Sequence, residues 1–236
     1  MNESLIITIN PEARELKISS KAFMASKFTV SIALTFSVIF SASIGQAETR
    51  KETAASYVQM GDKFAQHGDW DRAIGAYNIA LEFAPDFAFA LFRRGCAFEA
   101  KGDNPKAISD YTSALRFVPT LTTAWYNRGN LRLTDGDFEG ALADFDQAIH
   151  TDPLYALAYN NRGIARVVTG NLEGAIADFT EAIKINPRYP EAYVNRGLVR
   201  FQQGLKSQAE QDFAQSLAVK PSLKSFIEMR VSQISK

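Results

Sequence analysis

Residues 156–189 read ALAYNNRGIARVVTGNLEGAIADFTEAIKINPRY, and the 34 residues before them, 122–155, read TTAWYNRGNLRLTDGDFEGALADFDQAIHTDPLY. Laid over each other, the two stretches share glycine, alanine, aromatic and proline at the same places. The columns extend in both directions. Prolines stand at 85, 119, 153, 187 and 221, and glycines at 61, 95, 129, 163 and 197 and again at 68, 102, 136, 170 and 204. Ala73, Ala107, Ala141, Ala175 and Ala209 form a further column, each followed four residues on by Tyr77, Tyr111, Phe145, Phe179 or Phe213. A fixed period of this length is the mark of a stacked-repeat architecture.

Each column has a physical role. Gly68, Gly102, Gly136 and Gly170 end a first helix where positive φ is needed. Asp69, Asp103, Asp137 and Asn171 follow as N-caps of a second helix. Each proline closes the second helix, because it lacks an amide donor. Small residues such as Gly61 and Ala73 let the two helices approach, and the aromatics fill the space between units. One unit is therefore helix, tight turn, helix and short link, repeated over 54–87, 88–121, 122–155, 156–189 and 190–223.

This pattern resembles the tetratricopeptide repeat family: aromatic or Leu at position 4 (Tyr57, Leu91, Trp125, Tyr159, Tyr193), glycine at 8, alanine at 20, aromatic at 24, alanine at 27 and proline at 32. Ser216 departs at position 27 of the last unit, and Leu205 and Glu210 weaken its second helix. The resemblance implies an all-α fold, a right-handed superhelical solenoid with a concave groove that holds peptides or partner proteins. After Pro221, the apolar Leu223, Phe226, Ile227, Val231 and Ile234 recur at helical spacing. They predict a C-terminal capping helix, 224–236, over the last unit's open face; Val231 at position 8 excludes a sixth repeat.

In this family the groove is lined from first-helix positions 2, 5, 6, 9, 12 and 13. Position 6 is asparagine three times running: Asn127, Asn161 and Asn195. A carboxamide both donates and accepts, so a row of them can pair with a peptide backbone regardless of its side chains, as similar rows do in some family members. The alternative is that asparagine belongs to an Asn-Arg-Gly repeat subtype and supports the fold. Asn130, Asn160 and Tyr126 adjoin the row. Phe89, Phe92 and Leu157 could receive partner side chains or pack against neighbouring helices. The lysines of the carboxylate clamp found in chaperone-tail-binding members are missing, since positions 5 and 9 hold Val58 and Asp62, Phe92 and Cys96, and Tyr126 and Asn130. Arg94, Arg128, Arg162 and Arg196 at position 7, Arg132, Arg166 and Arg200 at position 11, and Asp110, Asp144, Asp178 and Asp212 at position 23 predict an internal ladder between the two helices. A cationic stripe for an acidic ligand is the other reading.

Upstream, Met24–Ala47 has the layout of a secretory signal: Lys27, thirteen uncharged residues from Phe28 to Phe40, then small residues with Gly45 and Ala47 at −3 and −1 of a cut. Left uncleaved, it would be a single-pass anchor, although the apolar stretch is short of the ~20 residues of a spanning helix. Residues 1–23, with Glu3, Glu12 and Glu15, are unusual ahead of such a signal and read as a non-native extension or as disordered, translation starting at Met24. Residues 48–53 read as a short linker.

Composition narrows the function. Of 236 residues, 26 are Lys or Arg and 26 Asp or Glu, so no general attraction to nucleic acid is expected. A single cysteine excludes an intramolecular disulfide and multi-cysteine metal sites. His67 and His150 lack clustered partners and read as surface residues, and Cys96 as a small buried space-filler. The repeats and their cap use the whole chain after residue 47, leaving no room for a catalytic domain. The reading is a non-enzymatic, exported adaptor, periplasmic if bacterial. It has no cofactor or metal, makes no membrane contact in its mature form, and holds a protein or extended peptide in its groove. A self-associating envelope component acting through its convex face or terminal helix is the alternative.

Overall fold

The computed structural model describes the backbone of residues 7–9, 16–18 and 27–235, and the side chains of residue 46 and of residues 48–235. Two three-residue strands, β1 (Ile7–Ile9) and β2 (Leu16–Ile18), pair antiparallel with Ile7 opposite Ile18. Every other described element is helical. The remainder of 1–23, and the side chains of the expected signal apart from residue 46, lie outside the described residues.

Ten helices form five antiparallel pairs: α1 (Lys27–Gln66) with α2 (Trp70–Phe83), α3 (Ala88–Ala100) with α4 (Asn104–Phe117), α5 (Thr122–Thr134) with α6 (Phe138–Thr151), α7 (Ala156–Val168) with α8 (Leu172–Ile185), and α9 (Pro190–Gln202) with α10 (Lys206–Val219). A 3-10 turn at Pro221–Leu223 leads into α11 (Lys224–Ile234). The turns follow the sequence logic. Gly68, Gly102, Gly136, Gly170 and Gly204 all hold φ between 73° and 84°. Asp137 accepts from the Gly140 amide at 3.0 Å and Asn171 from Gly174 at 2.9 Å, while Leu205, in the fifth unit, offers no such bond.

Close helix approach depends on the position-8 glycines. A Cβ on Gly129 would stand 2.8 Å from Cε1 of Phe145, where no relaxed contact exists. The aromatics Tyr77, Tyr111, Phe145 and Phe179 are fully buried there. Ala80, Ala114, Ala148 and Ala182 seal the joints between units, and Ser216 takes the same place in the fifth with its hydroxyl buried and unbonded.

The arginine–aspartate ladder is internal. Arg128 meets Asp144 through Nε at 2.9 Å and Nη2 at 2.7 Å, and Arg132 reaches the same carboxylate at 3.0 Å. Arg162 and Arg166 share Asp178, and Arg196 and Arg200 share Asp212. The sequence did not indicate a third arm: Nη1 of Arg94, Arg128, Arg162 and Arg196 reaches back to Asn78, Thr112, Asp146 and Thr180 of the preceding unit, at 2.6–3.0 Å. Each position-7 arginine thus ties three helices together.

Two expectations change. Residues 48–53 are not a linker but continue α1 as helix, since the run contains no glycine or proline to break it. Gln46, Arg50 and Lys51 line a hollow shared with Phe83–Asp86. The terminal helix does cover the last unit, with Ile227 buried among Val194, Ala209 and Phe213. Phe226, however, stands 45% exposed beside Met229. It falls where units two to five bury an alanine (Ala90, Ala124, Ala158, Ala192), a space too small for a phenyl ring. Among the described side chains no helix is long and apolar enough to cross a membrane.

Candidate functional site, the inner face of the first helices

First helices of neighbouring units touch one another, α1 with α3, α5 with α7 and α7 with α9, which places them on the inside of the curve. Their inward positions make a groove with two distinct halves.

Under repeats one and two the groove carries charge. The Tyr77 hydroxyl passes beside Gly61 and donates to Asp62 at 2.7 Å. Arg93 Nε lies 3.4 Å from the same carboxylate, and its guanidinium stacks on Phe89 at 4.7 Å. The Tyr111 hydroxyl donates its one proton to Glu99 at 2.5 Å, and Cys96 Sγ lies 3.4 Å from the same oxygen. Burial first, then Asp62 beside Tyr77 and Cys96 with Glu99 beside Tyr111, hold both phenols well above their ordinary pKa, and burial pushes the Cys96 thiol up as well. Cys96 is half-buried rather than enclosed, so it is a groove residue in contact with a phenol more than a space-filler. The sequence signal for this cluster is the position-24 column, tyrosine in the first two units and phenylalanine in the last three.

Repeats three to five line the groove with amides. Asn195 Nδ2 donates to Asn160 Oδ1 at 2.9 Å, and Asn160 Nδ2 to Asn161 Oδ1 at 2.8 Å. Asn161 Nδ2 donates to Asn130 Oδ1 at 2.7 Å and to the Tyr126 hydroxyl at 3.3 Å. Asn127 belongs to the other half, donating to Tyr111 at 3.4 Å and Cys96 at 3.8 Å. The three asparagines of the expected row do not bond one another; each spends its amide across a joint, Asn195 on Asn160, Asn161 on Asn130 and Tyr126, and Asn127 on Tyr111 and Cys96.

Two of the nine expected contact residues are withdrawn from the surface. Phe92 is 9% exposed, tilted against Tyr111 at 5.8 Å, and Asn160 is 3% exposed with both ends of its amide occupied. Phe92 fills the joint between α3 and α4, and Asn160 is covered by the next first helix. Phe89 and Leu157 remain outward, each 40% exposed. Tyr126, Asn127, Asn130, Asn161 and Asn195 are half-buried, with Tyr126 meeting the ring of Tyr155 edge-on at 5.1 Å. Tyr155, at the link into α7, was not anticipated. His67 and His150 are exposed, as expected. Among the described residues no cluster of His, Cys, Asp and Glu is arranged to hold a metal ion.

Profiles described as tetratricopeptide repeat match residues 58–121, and 122–153 together with 190–223; one described as TPR repeat matches 165–204. No curated protein sequence matches the chain. Among solved structures, a MamA protein is similar at 27% identity and a TM-score of 0.67, over 74% of this chain and 96% of that one. MamA from Desulfovibrio magneticus RS-1 shares the fold at 19% identity and TM-score 0.67, over 72% of this chain and 96% of that one. So does YrrB, described as a TPR protein with an unusual peptide-binding site, at 20% identity and TM-score 0.66, over 80% of this chain and 94% of that one. With the 34-residue period, the glycine turns and these matches in agreement, the chain belongs to the tetratricopeptide repeat family.

Proposed function

We propose that the chain is a non-enzymatic adaptor that binds an extended peptide or protein partner along the inner face of α3, α5, α7 and α9. Family membership supports a protein-interaction scaffold. The observation that carries the finer reading is that Phe89 and Leu157 stand exposed on the same face as the amide line. Exposed apolar side chains flanked by polar groups mark an interaction surface. The signal-like segment 24–47 supports export, to the periplasm in a bacterium. The Cys96 thiol, alone in the chain and half-buried in the groove, provides the test. A groove-bound partner slows its alkylation by a maleimide, and replacing Phe89 and Leu157 with alanine abolishes both binding and protection. Unchanged binding by that variant would move the interface elsewhere.

A second reading, self-association through the terminal helix, is favoured by the exposed pair Phe226 and Met229 on α11. Sedimentation velocity over a range of concentrations tests it, a constant monomer coefficient counting against it.

A further inference from the structure

Each helix pair runs out and back, so the links between units lie along one edge of the stack and the glycine turns along the other. The two edges show different groups to solvent. At the first three links Phe83, Phe117, Val118 and Leu154 stand exposed, Leu154 at 73%, while the turn edge shows Val168 and Leu205. The fold does not require apolar groups at the links, because sister repeats put polar ones in the same places. Thr151 stands where Phe83 and Phe117 do, Asp152 and Asn186 where Val118 does, and Asp86, Thr120 and Arg188 where Leu154 does. Apolar side chains that recur along one edge and that the fold can replace mark a contact surface.

The occupant of that surface is indicated by α1. Helix α2 ends at Phe83, while α1 continues past that level as far as Lys27, and Gln46, Arg50 and Lys51 flank Phe83–Asp86. The overhang therefore leaves the repeats on the link edge. It carries the uncharged run 28–44, FTVSIALTFSVIFSASI, and Ile44 precedes Ala54, the first residue of the repeats, by ~15 Å of helix. A bilayer that takes up the run comes within reach of the link edge and not of the turns. We propose that the link edge of repeats one to three rests on a lipid bilayer surface, with Phe83, Phe117, Val118 and Leu154 at the boundary between headgroups and acyl chains. Arg50, Lys51 and Arg116 are at least offset by Glu48, Glu52, Glu82, Asp86 and Asp152, so the attraction is apolar and does not call for anionic lipid. Arg116 lies over the Phe117 ring at 5.0 Å, which lets its stem stay with the apolar layer while the guanidinium faces the headgroups. The surface is separate from the groove and does not depend on what the groove holds.

The test uses the full chain with Cys96→Ser and one new cysteine at a time, Phe117→Cys or Leu154→Cys on the link edge and Val168→Cys on the turn edge. Each is labelled with the polarity-sensitive dye NBD and mixed with phosphatidylcholine vesicles, alone or with added phosphatidylglycerol; flotation checks that the chain is bound. The labels at 117 and 154 are expected to shift to the blue and gain emission equally on both kinds of vesicle, and the label at 168 to stay unchanged. Phe83→Thr/Phe117→Thr/Val118→Asn, which installs residues that sister repeats use, should keep the helicity and remove the shift at 154. A shift that survives this variant overturns the proposal. So does a chain that floats with neither edge responding, which is held by 28–44 alone, or one in which both edges respond alike. A response confined to phosphatidylglycerol vesicles, or a failure to float, also counts against it. A blue shift that grows with protein concentration in the absence of vesicles would assign the edge to a second copy instead.

Discussion

The first repeat and the third solve the same joint with opposite chemistry. In the third, Arg128, Arg132 and Asp144 occupy positions 7, 11 and 23 and form an ion triad around a buried carboxylate, with Arg132 partly exposed. In the first, the same positions hold Met60, Phe64 and Ala76. In both pairs the position-24 ring lies against the position-8 glycine, Tyr77 at Gly61 and Phe145 at Gly129, so the triad is not what makes a helix pair. Its distinctive contribution is the arm that Arg128 sends back to Thr112 in the unit before. No helix pair precedes the first repeat among the described residues, and Met60 lies exposed there. The second repeat is intermediate: Arg94 pairs with Asp110 and reaches Asn78, but position 11 is Phe98, with the guanidinium 5.9 Å from its ring. The ladder therefore holds the register between units more than the fold within one.

Four changes would break or sharpen this contrast. The largest effect is expected from Asp144→Ala, which strands two guanidinium groups at a buried site and should cost about 3–5 kcal/mol in denaturant unfolding. A loss no larger than that of a surface change would remove the triad from the account. Next is alkaline pH. The folded-state pKa values of Tyr77 and Tyr111 are raised, by burial first, so the stability they contribute is complete below the unfolded tyrosine value near 10 and is lost as pH rises above it. Stability measured upward from neutrality should fall more steeply in the parent than in a Tyr77→Phe/Tyr111→Phe variant, whose position-24 column matches repeats three to five. Parallel curves would show that the two phenols do not distinguish the halves.

A smaller gain is expected from Ser216→Ala. It removes a buried hydroxyl with no partner and restores the residue used at the other four joints, so the midpoint should rise by about 1 kcal/mol equivalent. The smallest change is the most instructive. Transplanting the first repeat's solution into the third, as Arg128→Met/Arg132→Phe/Asp144→Ala, should fall within about 1 kcal/mol of the parent, because replacing a whole buried ion triad by apolar groups costs less than breaking it. If the triple variant is as unstable as Asp144→Ala alone, the two joints are not equivalent.

Most of the fold was legible because its determinants are local. Gly136 and Asp137 fix a turn and a cap within a few residues of themselves, and Pro153 ends a helix by what it lacks. The ladder within a unit was also readable, since Arg128 and Asp144 recur at a constant offset. The bonds between units were not. Asn161 meets Asn130 across 31 residues and Asn195 meets Asn160 across 35, so the contact depends on how one unit leans on the next, which no single repeat encodes. The same limit hid the burial of Phe92 and Asn160 and the exposure of Phe226. Residues 48–53 misled for another reason: a charged run without a breaker continues a helix as readily as it forms a loop.

The backward arm of each position-7 arginine also has a mechanical meaning. Bonds of this kind couple neighbours in series, so tension applied at the two ends would be borne at every joint rather than spread through one core. The rod should then yield in discrete steps, each freeing one 34-residue unit, or roughly 110–120 Å of contour. The joint in which Arg162 clasps the charged Asp146 at 2.6 Å, rather than a hydroxyl or an amide, is the one whose yield force should respond to salt.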